Sequence, residues 1–138
     1  MIIFDSGPIL AYINPKDPNH EIALKIFTDS LQGNYGKMII SSYIVDEVLT
    51  LSRARTKSCK YGKAILELLE LEKDKKKVFL EIFLDKDMIQ ETKIQYEKFC
   101  EKGLSFTDCS LLALIKIFEI EYLVSFAKEF DGLVSKIP

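Results

Sequence analysis

Short apolar runs alternate with stretches of helical spacing along this chain, and that alternation restricts its fold more than any other feature. Met1–Phe4, Met38–Ile40, Val78–Leu84 and Tyr122–Ser125 read as strands. A short helix from the Asp5-Ser6-Gly7-Pro8 turn ends near Ile13, before Asn14-Pro15-Lys16-Asp17-Pro18. Ile22, Ala23, Ile26, Phe27 and Leu31 then recur at helical spacing after Asn19, a residue able to cap. Further helices are expected from Ser42, as a cap, through Arg55, from Tyr61 to Lys73, from Met88 to Cys100, and from Ser105-Phe106-Thr107 to Phe118. Such an order predicts an α/β fold, a three-layer sandwich around a parallel sheet of about four or five strands. No repeat or linker interrupts it, so residues 1–138 read as a single domain. A chain of this mass should fold to about 7,300 Å² of accessible surface. The charge run Lys73–Lys77 reads as a solvated turn.

Charge and composition then exclude several functions. Nineteen Lys and Arg against 21 Asp and Glu leave a net charge of −2, so no global basic excess points to nucleic acid or a membrane. Cys59, Cys100 and Cys109 are odd in number and form no CxxC pair, which reads as reduced thiols and not as a zinc ribbon. The single histidine, His20, cannot build a histidine-based metal site. Any bound metal must have oxygen ligands, which favours Mg²⁺ or Mn²⁺. The N-terminus meets Asp5 at once and lacks a basic region, unlike a signal peptide. The apolar run Leu111–Phe118 is too short to span a bilayer and contains Lys116. A soluble, cytoplasmic protein with no membrane attachment is expected.

Carboxylates fall where an open parallel sheet forms its sites, just past the strands. Asp5 ends the first strand, Glu47 lies early in the helix after the second, Asp108 opens the helix before the fourth, and Asp131 follows that strand. Helix geometry separates Glu47 from Asp46. Ile44, Val45, Val48, Leu49 and Leu51 define an apolar arc with Glu47 on its border, whereas Asp46 points away with Thr50 and Arg53. Asp108 shares a face with Leu111, Leu112 and Ile115. Carboxylates crowded in a poorly solvated cleft repel one another, and a divalent cation removes that penalty.

These segments carry a resemblance. Ile2-Ile3-Phe4-Asp5-Ser6-Gly7, Ser41-Ser42-Tyr43-Ile44-Val45-Asp46-Glu47-Val48-Leu49, Ser105-Phe106-Thr107-Asp108-Cys109-Ser110 and Ser125-Phe126-Ala127-Lys128-Glu129-Phe130-Asp131 occur in the order and spacing of a known family. The chain resembles the PIN-domain family of metal-dependent ribonucleases, most closely its VapC-type toxins. The resemblance implies an α/β sandwich, a homodimer, an antitoxin partner, and cleavage of RNA with Mg²⁺ or Mn²⁺. It implies Asp5, Glu47 and Asp108 as catalytic metal ligands, with Ser6 or Thr107 orienting a ligand or a water. The family's last motif carries an acid where this chain has Ala127, and Asp131 is the nearby substitute.

Two classes of function are therefore expected. In the first, an endoribonuclease toxin, RNA is drawn by a local cluster of Arg53, Arg55 and Lys57, extended by Lys60 and Lys63. Apolar side chains of the helices from His20 to Leu31 and from Ser42 to Lys73 form a groove for a partner helix or a second copy. Tyr12, Tyr43 and Tyr61 are candidates for stacking bases, with core or rim packing the favoured reading. In the second, a PIN-fold binding module with weak or lost chemistry, Ala127 marks the loss. A phosphatase-type fold with Asp5 as nucleophile is set aside, because Gly7 stands where that class places its second acid.

Overall fold

Ile2, Ile3 and Phe4 are completely buried, and this apolar triplet forms the middle strand of the sheet. The computed structural model describes residues 1–138. In chain order the elements are β1 (Ile2–Phe4), α1 (Ser6–Ile13), α2 (His20–Leu31), β2 (Met38–Ser41), α3 (Ser42–Thr56) and α4 (Lys60–Leu69). They continue with β3 (Glu72–Lys73), β4 (Lys76–Lys77), β5 (Phe79–Ile82), α5 (Lys86–Phe99), α6 (Phe106–Phe118), β6 (Tyr122–Val124) and β7 (Lys136–Ile137). Five strands form a parallel sheet in the order β5-β2-β1-β6-β7. Ile3 pairs with Ile39 on one side and with Leu123 on the other. A strand buried on both faces needs a continuous apolar run, which β1, β2 and β6 supply.

From β1 the chain steps to β2 and then to β5, and afterwards returns across the sheet to β6. Parallel crossovers are right-handed, so the two directions place helices on opposite faces. The packing agrees: α1 contacts α2, α3 and α4, while α5 packs along α6. The result is the expected three-layer α/β sandwich. Phe4, Phe27 and Phe79 meet beneath α2, with ring centroids 4.8 Å apart for Phe4–Phe27 and 5.5 Å for Phe4–Phe79. On the other face Lys116 Nζ reaches Glu91 Oε1 at 2.7 Å and ties α6 to α5. The accessible surface is 7,913 Å², against the roughly 7,300 Å² that size scaling gives.

Several local expectations change in the fold. Ser41, not Ser42, caps α3: its Oγ accepts from Ile44 N at 3.3 Å, while Ser42 Oγ accepts from Leu84 N across the sheet. Asn19 precedes α2 without a side-chain cap, and its own N–H donates to Asp17 Oδ1. Helix α4 ends at Leu69, because residues 72–77 turn back as the antiparallel hairpin β3–β4. Lys73 Nζ donates to the Leu31 carbonyl and Lys37 Nζ donates to the Lys77 carbonyl, so one lysine of the hairpin and one of the body fasten the two together. Asp85 opens α5 earlier than expected, accepting from Met88 N at 2.9 Å. Strand β7 has only two residues, Lys136 and Ile137, too few for a periodic signal.

Candidate active site

The chain leaves β1 toward β2, while β6 on its other side is reached by the return crossover, so the strand order reverses between β1 and β6. Ligand crevices form at such a reversal, beyond the carboxyl ends of the strands. Asp5 stands there. It is the N-cap of α1, and its Oδ1 accepts from Ser6 N at 2.7 Å. Its Oδ2 accepts from Ser125 Oγ at 2.6 Å, just past the end of β6. The Ser125 hydroxyl is fully buried and accepts in turn from Ala127 N at 3.1 Å. A chain of hydrogen bonds thus fixes the carboxylate from two strands.

Asp5 is only 6% exposed, and loss of water pushes its carboxyl up to about 6 from an ordinary 3.8. The two hydrogen bonds pull in the opposite direction and do not compensate. The negative charges of Asp108 and Glu47 add to the rise. Acids from α6 and α3 therefore act electrostatically on the acid at the end of β1.

Glu47 sits early in α3, half-buried, while Asp46 is exposed and faces Thr50 Oγ1 at 3.4 Å. Glu47 is the more buried of the two, as the apolar arc of α3 predicts, but Asp46 does not point away from the site: both border the same cavity. Asp108 is the third residue of α6 and completes a capping box. Ser105 Oγ accepts from Asp108 N at 3.0 Å, and Asp108 Oδ2 accepts from Ser105 N at 2.9 Å. Its Oδ1 is left outside that box. Between the starts of α3 and α6 lies an open cavity of about 470 Å³, lined by Tyr43, Asp46, Glu47, Thr50, Leu51, Phe106 and Thr107. Thr107 is therefore a neighbour of Glu47, and Ser6 Oγ lies 3.5 Å from Asp5 Oδ1.

No three His, Cys, Asp or Glu side chains are gathered into a coordinating cluster. The donor chemistry nevertheless suits a hard cation: three carboxylates, no competing ammonium bonded to any of them, and one raised well above its ordinary pKa by burial and by the others. Asp131 stands apart. It is exposed and pairs with Lys136 Nζ at 2.8 Å, and Lys136 also donates to the Ala127 carbonyl at 3.2 Å. Arg53, Arg55 and Lys57 are exposed at the end of α3, about 9–15 Å along the helix axis from Glu47. His20 has a structural contact, its Nδ1 lying 2.8 Å from the Ala11 carbonyl.

Sequence reasoning passed over Ser125 as a site residue. The available signal was a hydroxyl placed directly after the strand that pairs with β1. The Ser105–Asp108 box was equally readable from the spacing Ser-x-x-Asp.

No family model and no curated protein matches the sequence. Solved structures do. VapC20 of Mycobacterium tuberculosis, described as a sarcin–ricin loop cleaving toxin, superposes with a TM-score of 0.82 at 17% identity, covering 96% of this chain and 95% of that one. VapBC2 of Rickettsia felis, solved with a DNA fragment from its promoter, matches at 0.69 and 14% identity over 99% and 97% of the two chains. FitAcB of Neisseria gonorrhoeae matches at 0.65 and 18% identity over 100% and 97%. A parallel five-stranded sheet in the order described, with Asp5 at its reversal point and these likenesses over nearly the full length, identifies the fold of this chain as that of the VapC-type PIN domains.

Proposed function

We propose that the chain is a divalent-metal-dependent endoribonuclease, the toxin of a toxin–antitoxin pair. The observation that carries this reading is the buried Asp5 carboxylate, clamped by Ser6 and Ser125 at the strand reversal and raised further by Glu47 and Asp108. Asp5, Glu47 and Asp108 would hold Mg²⁺ or Mn²⁺, which when bound acidifies a water and offsets charge on the scissile phosphate. Ser125 and Ser6 N keep Asp5 oriented and ionised. The Ser105 box holds one Asp108 oxygen and leaves the other for the site. Ser6 and Thr107 offer hydroxyls beside the acids, and Arg53, Arg55 and Lys57 attract the phosphate chain from the far end of α3.

The neighbours named as toxins and toxin–antitoxin complexes support an antitoxin partner, and a homodimer belongs to the same reading. So do the exposed Ile22 and Leu24 on α2 and Leu66 on α4, large apolar side chains on the helices expected to carry a docking groove. No helix is long and apolar enough to cross a membrane, and a toxin of this kind acts in the cytoplasm. A second reading, a binding module without chemistry, draws on Ala127 and on the engagement of Asp131 by Lys136, which leave the usual place of a fourth acid without a free carboxylate. Incubation of the protein with total RNA in Mg²⁺, Mn²⁺ or chelator separates the two. Cutting only with metal supports the nuclease, and intact RNA under all conditions supports the binding module.

A further inference from the structure

The tyrosines do not share one role. Tyr12 stacks on Phe27 at 4.1 Å and 14°, and Tyr35 meets the edge of Tyr122 at 5.7 Å. Tyr61 lines a small cleft with Leu10, Ile13 and Arg55. Tyr43 instead walls the open cavity that holds Glu47, and it is half-buried there. Its ring centroid lies 6.3 Å from that of Phe106 with the planes inclined at 41°, so the two rings meet at a tilt and are not stacked face to face. Phe106 is backed by Tyr96 at 6.0 Å, which braces one wall. Thr50 and Thr107 at the rim carry hydroxyls, each able to donate and to accept.

We infer that this cavity receives one unpaired nucleobase of a single-stranded RNA, stacked on Tyr43 next to the carboxylates. The inference rests on the ribonuclease reading and adds to it the form of the substrate. Its volume of about 470 Å³ lies within the usual range for small-molecule sites and accommodates a base with its sugar. Every base has a π-face, so an aromatic platform accepts any of them, and rim hydroxyls pair with donors and acceptors alike. A base inside a duplex cannot reach a ring recessed between two helices, whereas a base splayed from a single strand can. Phosphate is an unsuitable occupant, because Asp46 and Glu47 both border the cavity. The neutral base enters the cavity against Tyr43, and the charged backbone stays outside it.

The test is fluorescence anisotropy of a short labelled single-stranded RNA, and of the same sequence as a blunt duplex, in Ca²⁺ with the full-length protein. Tyr43→Ala should weaken single-strand binding roughly 5- to 150-fold, the worth of one base–aromatic stack. The duplex should be bound no more weakly by Tyr43→Ala than by the parent. Tyr43→Phe, which keeps the platform, should restore single-strand affinity to within about twofold. Tyr43→Leu, which fills the space without a ring, should behave like the alanine variant and serves if that variant unfolds. Parent-like single-strand affinity in Tyr43→Ala or Tyr43→Leu would overturn the pocket, as would an equal loss on single strand and duplex. If the parent cuts RNA while these variants bind normally, the pocket alone falls. If the parent neither binds nor cuts RNA, the ribonuclease reading falls with it.

Discussion

Ser125 Oγ donates to Asp5 Oδ2 at 2.6 Å and joins the ends of β6 and β1 at the point where the strand order reverses. This hydroxyl is the strongest single influence holding the buried carboxylate in its ionised form. Ser125→Ala removes it and also leaves Ala127 N without its acceptor. Asp5 should then titrate above about 6, and the fold should lose about 1–3 kcal/mol, the cost of orphaned buried polar groups. Urea unfolding measures the loss, and the Mn²⁺ concentration needed for half-maximal cleavage should rise.

The raised pKa of Asp5 fixes the sign of a pH effect. A carboxyl at 3.8 when unfolded and about 6 when folded binds its proton more tightly in the fold. Its contribution is therefore fully present below 3.8 and is lost as pH rises through 6, an amount of about 3 kcal/mol without metal. Asp5→Asn, neutral at every pH, should be more stable than the metal-free parent above pH 6, and the advantage should fade toward pH 4. Unfolding curves of the two proteins across that range check it. Saturating Mn²⁺ should reverse the order above pH 6, and below it each pH unit should weaken Mn²⁺ binding about tenfold.

The capping box gives Asp108 a structural duty besides its proposed one. Ser105→Ala removes the hydroxyl that accepts from Asp108 N and should cost about 1 kcal/mol of stability. The backbone N–H of residue 105 still donates to Asp108 Oδ2, but the first turn that positions both groups loosens, so the metal requirement for cleavage should also rise modestly. A stability loss with an unchanged requirement would make the box purely structural.

Ala127 stands where the resemblance expects an acid. Ala127→Asp should lower the Mn²⁺ needed for cleavage. Asp131→Asn should change it little, since Asp131 is exposed and already neutralised by Lys136. A collapse of activity in Asp131→Asn would assign Asp131 as a working ligand.

The sheet was legible in the sequence wherever burial leaves a continuous apolar run. Ile2-Ile3-Phe4 and Met38-Ile39-Ile40 stand out as continuous apolar runs because both faces of these strands are packed. Lys136-Ile137 was illegible, since a two-residue edge strand needs no pattern and is held by pairing with β6. The hairpin at residues 72–77 was hidden for another reason: it is fastened by distant segments, Lys73 donating to the Leu31 carbonyl and Lys37 donating to the Lys77 carbonyl. For Asp5, Glu47 and Asp108 the order of acids after strands led to the expectation of one shared edge; in the fold Asp108 and Glu47 act on Asp5 through charge, without forming a coordinating cluster of three. Their hydrogen bonds were harder to read. Ser125 and Asp5 lie 120 positions apart, and only the β1–β6 pairing brings them together.

Cleavage of total RNA in Mn²⁺ or chelator, by the parent and by Asp5→Asn, Glu47→Gln and Asp108→Asn, tests the central claim most directly. The account predicts cutting by the parent in Mn²⁺, none in chelator, and a loss of about a hundredfold or more in each variant, beyond what loss of an outer-shell partner costs. Equal cutting in chelator, or full activity in Glu47→Gln, would contradict it.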